Sequence, residues 1–295
     1  MKRILTLILL FAFSPLMAGV VDEMSESYLG DVAQKICDSM KGHMAFYTGT
    51  GNVYQANTSG FPGIKLGMGI GISAPFSGFD NISKLFGALS SPDFTTVTNA
   101  LSLAPMPYDM VFAKIGIPAL PMDVGLRLGY IPAMNFGSYG FKGEFHFGVE
   151  ARYILFELPA GIIKVDGRLS YDVDNGGLKM NSSGTESGGT YDIGFDYNWA
   201  GSSLGAKIVG GVNIPLIGGV YAGVGANLNF GKVTTKIDAK INSSPVASAE
   251  KSANYDLFDL KLIAGGYFAF VSLAAEFGLL SGDMSITFFP FFLTF

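Results

Sequence analysis

The chain predicts an all-β fold: a closed antiparallel transmembrane β-barrel of about ten strands, with eight or twelve as alternatives, behind a short N-terminal α-helix. Three observations carry this. From residue 61 on, apolar and polar residues alternate with a period of two, in segments of about 9 to 11 residues or more, as tilted spanning strands require. The apolar faces are large and aromatic at the strand ends, and the polar faces mix charge with glycine, the reverse of a water-soluble sandwich. Finally, 49% of the 295 residues are hydrophobic, 15% are charged and 40 are glycine.

The same arithmetic excludes other classes. The apolar fraction is too high for disorder. A net charge of −5 leaves no basic footprint for nucleic acid. One cysteine, Cys37, rules out a disulfide scaffold, and two histidines supply a metal site poorly. No cofactor motif is present: the glycine-rich stretch 218–225 lacks the lysine of a phosphate loop and has the period of a strand.

Residues 1–18 read as a secretory signal peptide, with Lys2 and Arg3 ahead of an apolar run from Ile4 to Phe13 and a cut after Ala18. Residues 19–60 read as a helix and a linker. Met24, Tyr28, Val32, Ile36 and Met40 recur every four residues over 22–41, widened by Leu29, Ala33 and Cys37, with Asp22 as cap and Gly42 as stop. Such a helix is roughly 30 Å long, about the thickness of a hydrocarbon core. Its other faces carry Asp22, Glu23, Glu26, Asp31, Lys35 and Asp38, so it does not cross lipid alone. The expectation is a plug inside the barrel or across its periplasmic mouth.

Residues 61–295 form the barrel. Strands are expected at 62–74, 109–118, 121–131, 138–154, 161–173, 189–213, 219–234, 254–268, 271–280 and 283–295, with long connections at 75–108, 173–189 and 235–253. The alternation assigns Asp123, Arg127, Lys142, Glu144, His146, Glu150, Arg152, Lys164, Asp166 and Arg168 to the lumen, with Asp259 and Lys261, and turns Phe141, Phe145 and Phe147 toward lipid. It slips near Gly201–Ser203, where a bulge or an extra strand pair is expected. Gly67, Gly69, Gly71, Gly125 and Gly129 leave part of the inner wall bare. The apolar run 262–280 reads as two strands rather than a spanning helix, because glycines interrupt it. In the connection 75–108, Ile82, Leu85, Phe86 and Leu89, then Phe94 and Val97 behind Ser91-Pro92-Asp93, predict two short helices at the barrel mouth.

The chain closes on Phe289, Phe291, Leu293 and Phe295, with Pro290 interrupting. Together with the signal peptide and the alternating body, this ending resembles bacterial outer-membrane β-barrel proteins. The resemblance implies an outer-membrane location, contact with outer-membrane lipid, and Phe295 as a signal for the barrel-assembly machinery. Pro290 departs from the pattern and is expected at a bulge or where the strand leaves the bilayer.

For function, a ten-stranded barrel has a backbone radius of roughly 10 Å, which leaves a narrow passage at best. One expectation is a narrow channel or transporter for small hydrophobic molecules, by analogy with fatty-acid and hydrophobic-compound barrels that carry an N-terminal plug. The alternative is a structural or surface-interaction barrel. Neither His146, among glutamates and glycine, nor His43, at the helix end, has a serine partner legible in the sequence, so the expectation is a protein that is not an enzyme.

Overall fold

In a computed structural model, residues 25–51, 63–75, 106–136, 139–158, 161–186, 189–214 and 217–294 are described. The signal segment, Met24, the mouth helices with Ile82, Leu85, Phe86, Leu89, Phe94 and Val97, and Phe295 lie outside them. The described residues form one helix, α1 (Glu26–Thr48), and twelve antiparallel strands: β1 (Ile64–Pro75), β2 (Met106–Gly116), β3 (Met122–Ile131), β4 (Met134–Phe136), β5 (Tyr139–Glu157), β6 (Ile163–Glu186), β7 (Gly189–Ile214), β8 (Gly218–Ile241), β9 (Ser244–Asn254), β10 (Phe258–Phe268), β11 (Val271–Gly278) and β12 (Asp283–Thr294).

Ten of the strands form a hydrogen-bonded ring. β1 pairs with β2, and the order runs through β3, β5, β6, β7, β8, β10, β11 and β12 back to β1. β4 adds only to β5. β8 changes partner along its length: residues 218–228 pair with β10, and 232–241 pair with β9. The expected count of ten therefore matches the ring, and the two further strands lie off it. The connections expected at 173–189 and 235–253 are mostly strand, because β6, β7, β8 and β9 rise as two long hairpins above the ring. Asn242 and Ser243, both at positive φ (49° and 67°), turn the second hairpin in two residues. The run 262–280 is the β10–β11 hairpin, turned at Ala269 (φ 51°).

The ring is apolar outside and charged inside. Val220 is 65% exposed, Leu169 62% and Leu126 53%, whereas Asp123 and Arg127 are 0%. On β8 the outward residues from Val220 to Phe230 are apolar. That stretch is about 33 Å of strand. At a tilt of about 40° it covers about 25 Å of height, the apolar band of a membrane barrel.

Above one level this polarity inverts. The level is marked by the pairs Glu144↔Gly176, Asn175↔Ala200 and Gly201↔Gly231. Below it, β7 sends Ser203 and Lys207 inward and Leu204, Ile208 and Val212 outward. Above it, Ile193, Phe195, Tyr197 and Trp199 point inward, and Asp192, Asp196 and Asn198 point outward. The register with both neighbours is unbroken through Gly201–Ser203. The slip expected there is therefore not a bulge: the strand keeps its parity while its outward face changes from apolar to polar. The inward apolar side chains above the level, with Val233, Ile237 and Ala239 of β8, form a conventional core on which α1 packs.

Two real bulges also correct the reading of faces. β5 breaks register between Phe141 and Gly143, and Gly143 has φ 98°. This exchanges the faces, so Lys142 is exposed and Phe141 packs toward the inner cluster, 6.3 Å from the ring of Trp199. Between Phe288 and Phe291, β12 bulges opposite Gly69. Phe289, read in one alternation with Phe291 and Leu293, is 0% exposed and points inward, opposite to them. Pro290 sits in this bulge, where its missing N–H breaks no ladder.

The inner wall is not bare at its glycines. A Cβ on Gly67 would lie 2.4 Å from the ring of Phe112, one on Gly69 2.8 Å from Phe289, and one on Gly71 2.4 Å from Tyr108. Neighbouring strands lay aromatic rings over these positions.

Candidate functional site

The candidate site is the mouth of the ring, where α1 enters from the hairpin end. Ser25 caps the helix, its Oγ accepting from the N–H of Tyr28 at 3.2 Å. The helix therefore starts three residues later than expected. It also continues past Gly42 to Thr48, because Met44, Ala45, Phe46 and Tyr47 extend the buried stripe. Tyr28, Val32, Ile36 and Met40 lie on the face turned to the β6–β9 hairpins. Ala247, Ala249 and Ala253 of β9 keep that approach close. Cys37 donates toward Thr235 Oγ1 and the Lys251 carbonyl, both at 3.3 Å.

The C-terminal end of α1 sits at the ring's mouth, at the end opposite the short turns. A helix C-terminus leaves carbonyls unsatisfied and carries partial negative charge. Lys261 meets both needs: its Nζ lies 2.9 Å from the Gly49 carbonyl, 3.3 Å from that of Phe46 and 4.3 Å above the Phe46 ring. The Gly51 N–H donates to Glu276 Oε1 at 2.8 Å. The Tyr47 hydroxyl bonds the Glu144 carboxylate and lies 2.8 Å from the Pro107 carbonyl. Burial first, and then the charge of Glu144, hold this phenol well above its ordinary pKa, so it is the donor to the carboxylate. His43 Nδ1 is 3.0 Å from Asp283 Oδ1.

Beneath the helix the charges pair off. Lys207 reaches Glu276 at 3.1 Å. Arg127 bonds Asp172, and His146 lies 3.6 Å from both Asp172 and Asp174. Asp123 bonds Arg152 (2.8 Å from Nε), Lys114 bonds Glu150, and Arg168 bonds Asp166 at 2.5 Å. All of these side chains are buried. Burying an ion costs several kcal/mol unless it is paired and hydrogen-bonded, and here each sign is met by the other: along one strand for Asp166 and Arg168, between adjacent strands for Asp123 and Arg152, and past intervening strands for Lys114–Glu150, Arg127–Asp172 and Lys207–Glu276.

Of the residues assigned to the lumen from sequence, Asp123, Arg127, Glu144, His146, Glu150, Arg152, Asp166 and Arg168 point into this network. Lys164 is half-buried at the far rim, 3.0 Å from Glu157. Lys142 is corrected to the outer face, for the reason given by the Gly143 bulge. Lys65, Lys114, Asp172, Asp174, Lys207 and Glu276 were not assigned, although each continues an alternation legible in its strand. Tyr47 was missed because Gly42 was read as the helix stop.

The fold also gives His43 a partner that its sequence surroundings do not. Its Nε2, and the hydroxyls of Ser73 and Ser285, make no hydrogen bond among the described residues. Ser73 and Ser285 face each other across β1 and β12, two residues along β12 from Asp283. Carboxylate, imidazole and hydroxyl are the groups of acyl hydrolases. None of the four residues is more than 3% exposed, and in this arrangement the His43–Asp283 pair ties α1 to β12. The outer wall carries a shallow apolar groove of about 720 Å³, lined by Ala113, Leu126, Val149, Ala151, Tyr171 and Leu204 among others. Among the described residues no group of His, Cys, Asp and Glu is arranged to hold a metal ion.

No protein-family model and no curated protein matches the chain. Solved structures do. The chain is similar to Ail, the attachment invasion locus protein of Yersinia pestis, at 13% identity and TM-score 0.21, over 78% of this chain and 98% of that one. It is similar to LpxR from Salmonella typhimurium at 10% identity and TM-score 0.24, over 78% and 99%. It is similar to the transport unit of the autotransporter AIDA-I from Escherichia coli at 9% and 0.18, over 92% and 98%. At these TM-scores the argument rests on the chain's own ring and wall. One expectation is corrected: with LpxR among the similar structures, the exclusion of enzymatic activity drawn from the sequence is withdrawn. What the chain itself presents is a ten-strand ring with an apolar wall, a charged interior and a helix across its mouth.

Proposed function

We propose that this chain is a bacterial outer-membrane barrel whose interior is occupied by its own side chains, and whose working surface is the helix-filled platform of β6–β9 outside the bilayer. The observation that carries this is the inversion of polarity at a single level across β6, β7 and β8. It supports a bilayer boundary there, with water above it.

The choice between the two expected roles turns on the mouth. A channel for small hydrophobic molecules needs an apolar or open path. Here Phe46, Tyr47 and Gly49–Gly51 are held by Lys261, Glu144 and Glu276, and ion pairs lie beneath them. That favours the structural or surface-interaction reading. A partner for the platform is sought on its exposed faces, and the assembly role of Phe295 remains part of the proposal.

Two measurements test this. A cysteine at Asn181, on the outer face of the β6–β7 hairpin, is expected to react with a membrane-impermeant maleimide on intact cells. The purified chain in a planar bilayer is expected to pass no steady current. Sustained single-channel conductance, or uptake of apolar substrates that depends on the chain, would restore the transport reading.

A further inference from the structure

We propose that the outer face of the platform, immediately above the apolar band, binds the anionic phosphate headgroup of a membrane phospholipid. This rests on the membrane reading above and adds a ligand to it. The placement follows from register. Three outward levels succeed one another across β6, β7 and β8: Asn175, Ala200 and Lys232; then Gly177, Asn198 and Thr234; then Lys179, Asp196 and Lys236. Lys232 stands two residues above Phe230, the last apolar outward side chain of β8. The Gly143 bulge of β5 adds Lys142 to the same face. Its Nζ lies 2.7 Å from Asp196 Oδ1 and 2.8 Å from Asn198 Oδ1.

Four lysines therefore surround a patch of amides and hydroxyls. The carboxylates on this face have cations beside them, Asp192 standing opposite Lys240. Asp196 holds Lys142, Asp238 holds Lys236 at 2.9 Å, and Glu250 is the β9 partner opposite Lys236. Lys179 and Lys232 make no ion pair among the described residues. Strands stand about 4.8 Å apart, and lysine stems reach along apolar surface while their ammonium groups seek the polar layer. The ammonium groups of Lys142, Lys179 and Lys232 can thus converge over Asn175 and Asn198. The face continues the lipid-facing wall directly, so an anion at this depth is a lipid headgroup. Cations at that depth favour anionic lipid by roughly fivefold per lysine.

The test is native mass spectrometry of the full chain, released from micelles holding equal amounts of phosphatidylglycerol and phosphatidylcholine. The wild type is expected to retain phosphatidylglycerol preferentially, with the preference weakening as salt is raised. Lys179→Gln/Lys232→Gln changes exposed side chains without ion pairs and is expected to fold. It should lower the preference at least about fivefold. Lys35→Gln/Lys240→Gln, away from the patch, should leave it unchanged. No preference in the wild type, an unchanged preference in the first variant, or an equal loss in the second would overturn the proposal. Failure of the membrane reading is seen separately: the unheated chain would then migrate as the boiled one does and would not insert into vesicles of either lipid.

Discussion

The indole N–H of Trp199 donates to Oδ1 of Asp174 at 2.5 Å, and this bond joins two interiors. Trp199 belongs to the core under α1, and Asp174 belongs to the ring's charged network. Trp199→Phe keeps the ring and removes the donor, leaving a buried carboxylate one partner short. The expected cost is about 1–3 kcal/mol, read by chemical unfolding. Trp199 is the chain's single tryptophan and is 2% exposed. Its fluorescence should be blue-shifted in the folded state and move red in one transition.

The level at which polarity inverts predicts opposite outcomes for one substitution placed twice. Val224→Arg puts a cation in the apolar band and should cost about 2–4 kcal/mol of stability in vesicles. Thr234→Arg, ten residues up the same strand, faces water and should change stability by less than about 0.5 kcal/mol. Equal costs at the two sites would remove the boundary.

Gly67 lies under the ring of Phe112. Gly67→Val should force that ring aside, and overpacking of this kind costs about 1–3 kcal/mol. The double variant Gly67→Val/Phe112→Ala should recover part of the loss, seen in the temperature at which the compact, fast-migrating form disappears from gels. A glycine needed only for backbone freedom would show no such recovery.

Burial raises the Cys37 thiol above its reference value of 9.0, against the hydrogen bonds of Thr235. The folded state therefore holds the thiol proton more tightly than the unfolded state does. Its contribution to stability is complete below the unfolded pKa and is lost as pH rises past it. Cys37→Ala should flatten that alkaline loss. In the wild type, maleimide labelling at pH 8 should be slow until denaturant is added.

Lys261 holds the last carbonyls of α1. Lys261→Met removes that cap and one of the two cations beside Glu276. Hydrogen exchange at Phe46–Gly51 should accelerate by at least about tenfold, while the ladders of β7 and β8 stay protected.

How much of this was legible follows from which physics acts locally. The inward charges of β3, β5 and β6 were readable, because a two-residue period survives wherever one face is apolar and the other charged. Phe141 and Lys142 were not, because a one-residue bulge at Gly143 exchanges the faces; the bulge beside Phe289 was marked by Pro290, but its effect on the face of Phe289 was not read. The upper halves of β6 and β8 looked like polar connections: their outer faces meet water and their inner faces meet a helix far away in sequence. The bonds from His43 to Asp283 and from Tyr47 to Glu144 span long sequence separations and belong to topology alone.

β6, β7 and β8 pass through the inversion level without a break in register. The platform and the ring are thus one set of ladders with no hinge between them. A load applied at the Asn242–Ser243 tip would run along the strands in shear, engaging many cross-strand bonds at once instead of peeling them singly. A structure built this way resists pulling forces best along its strands.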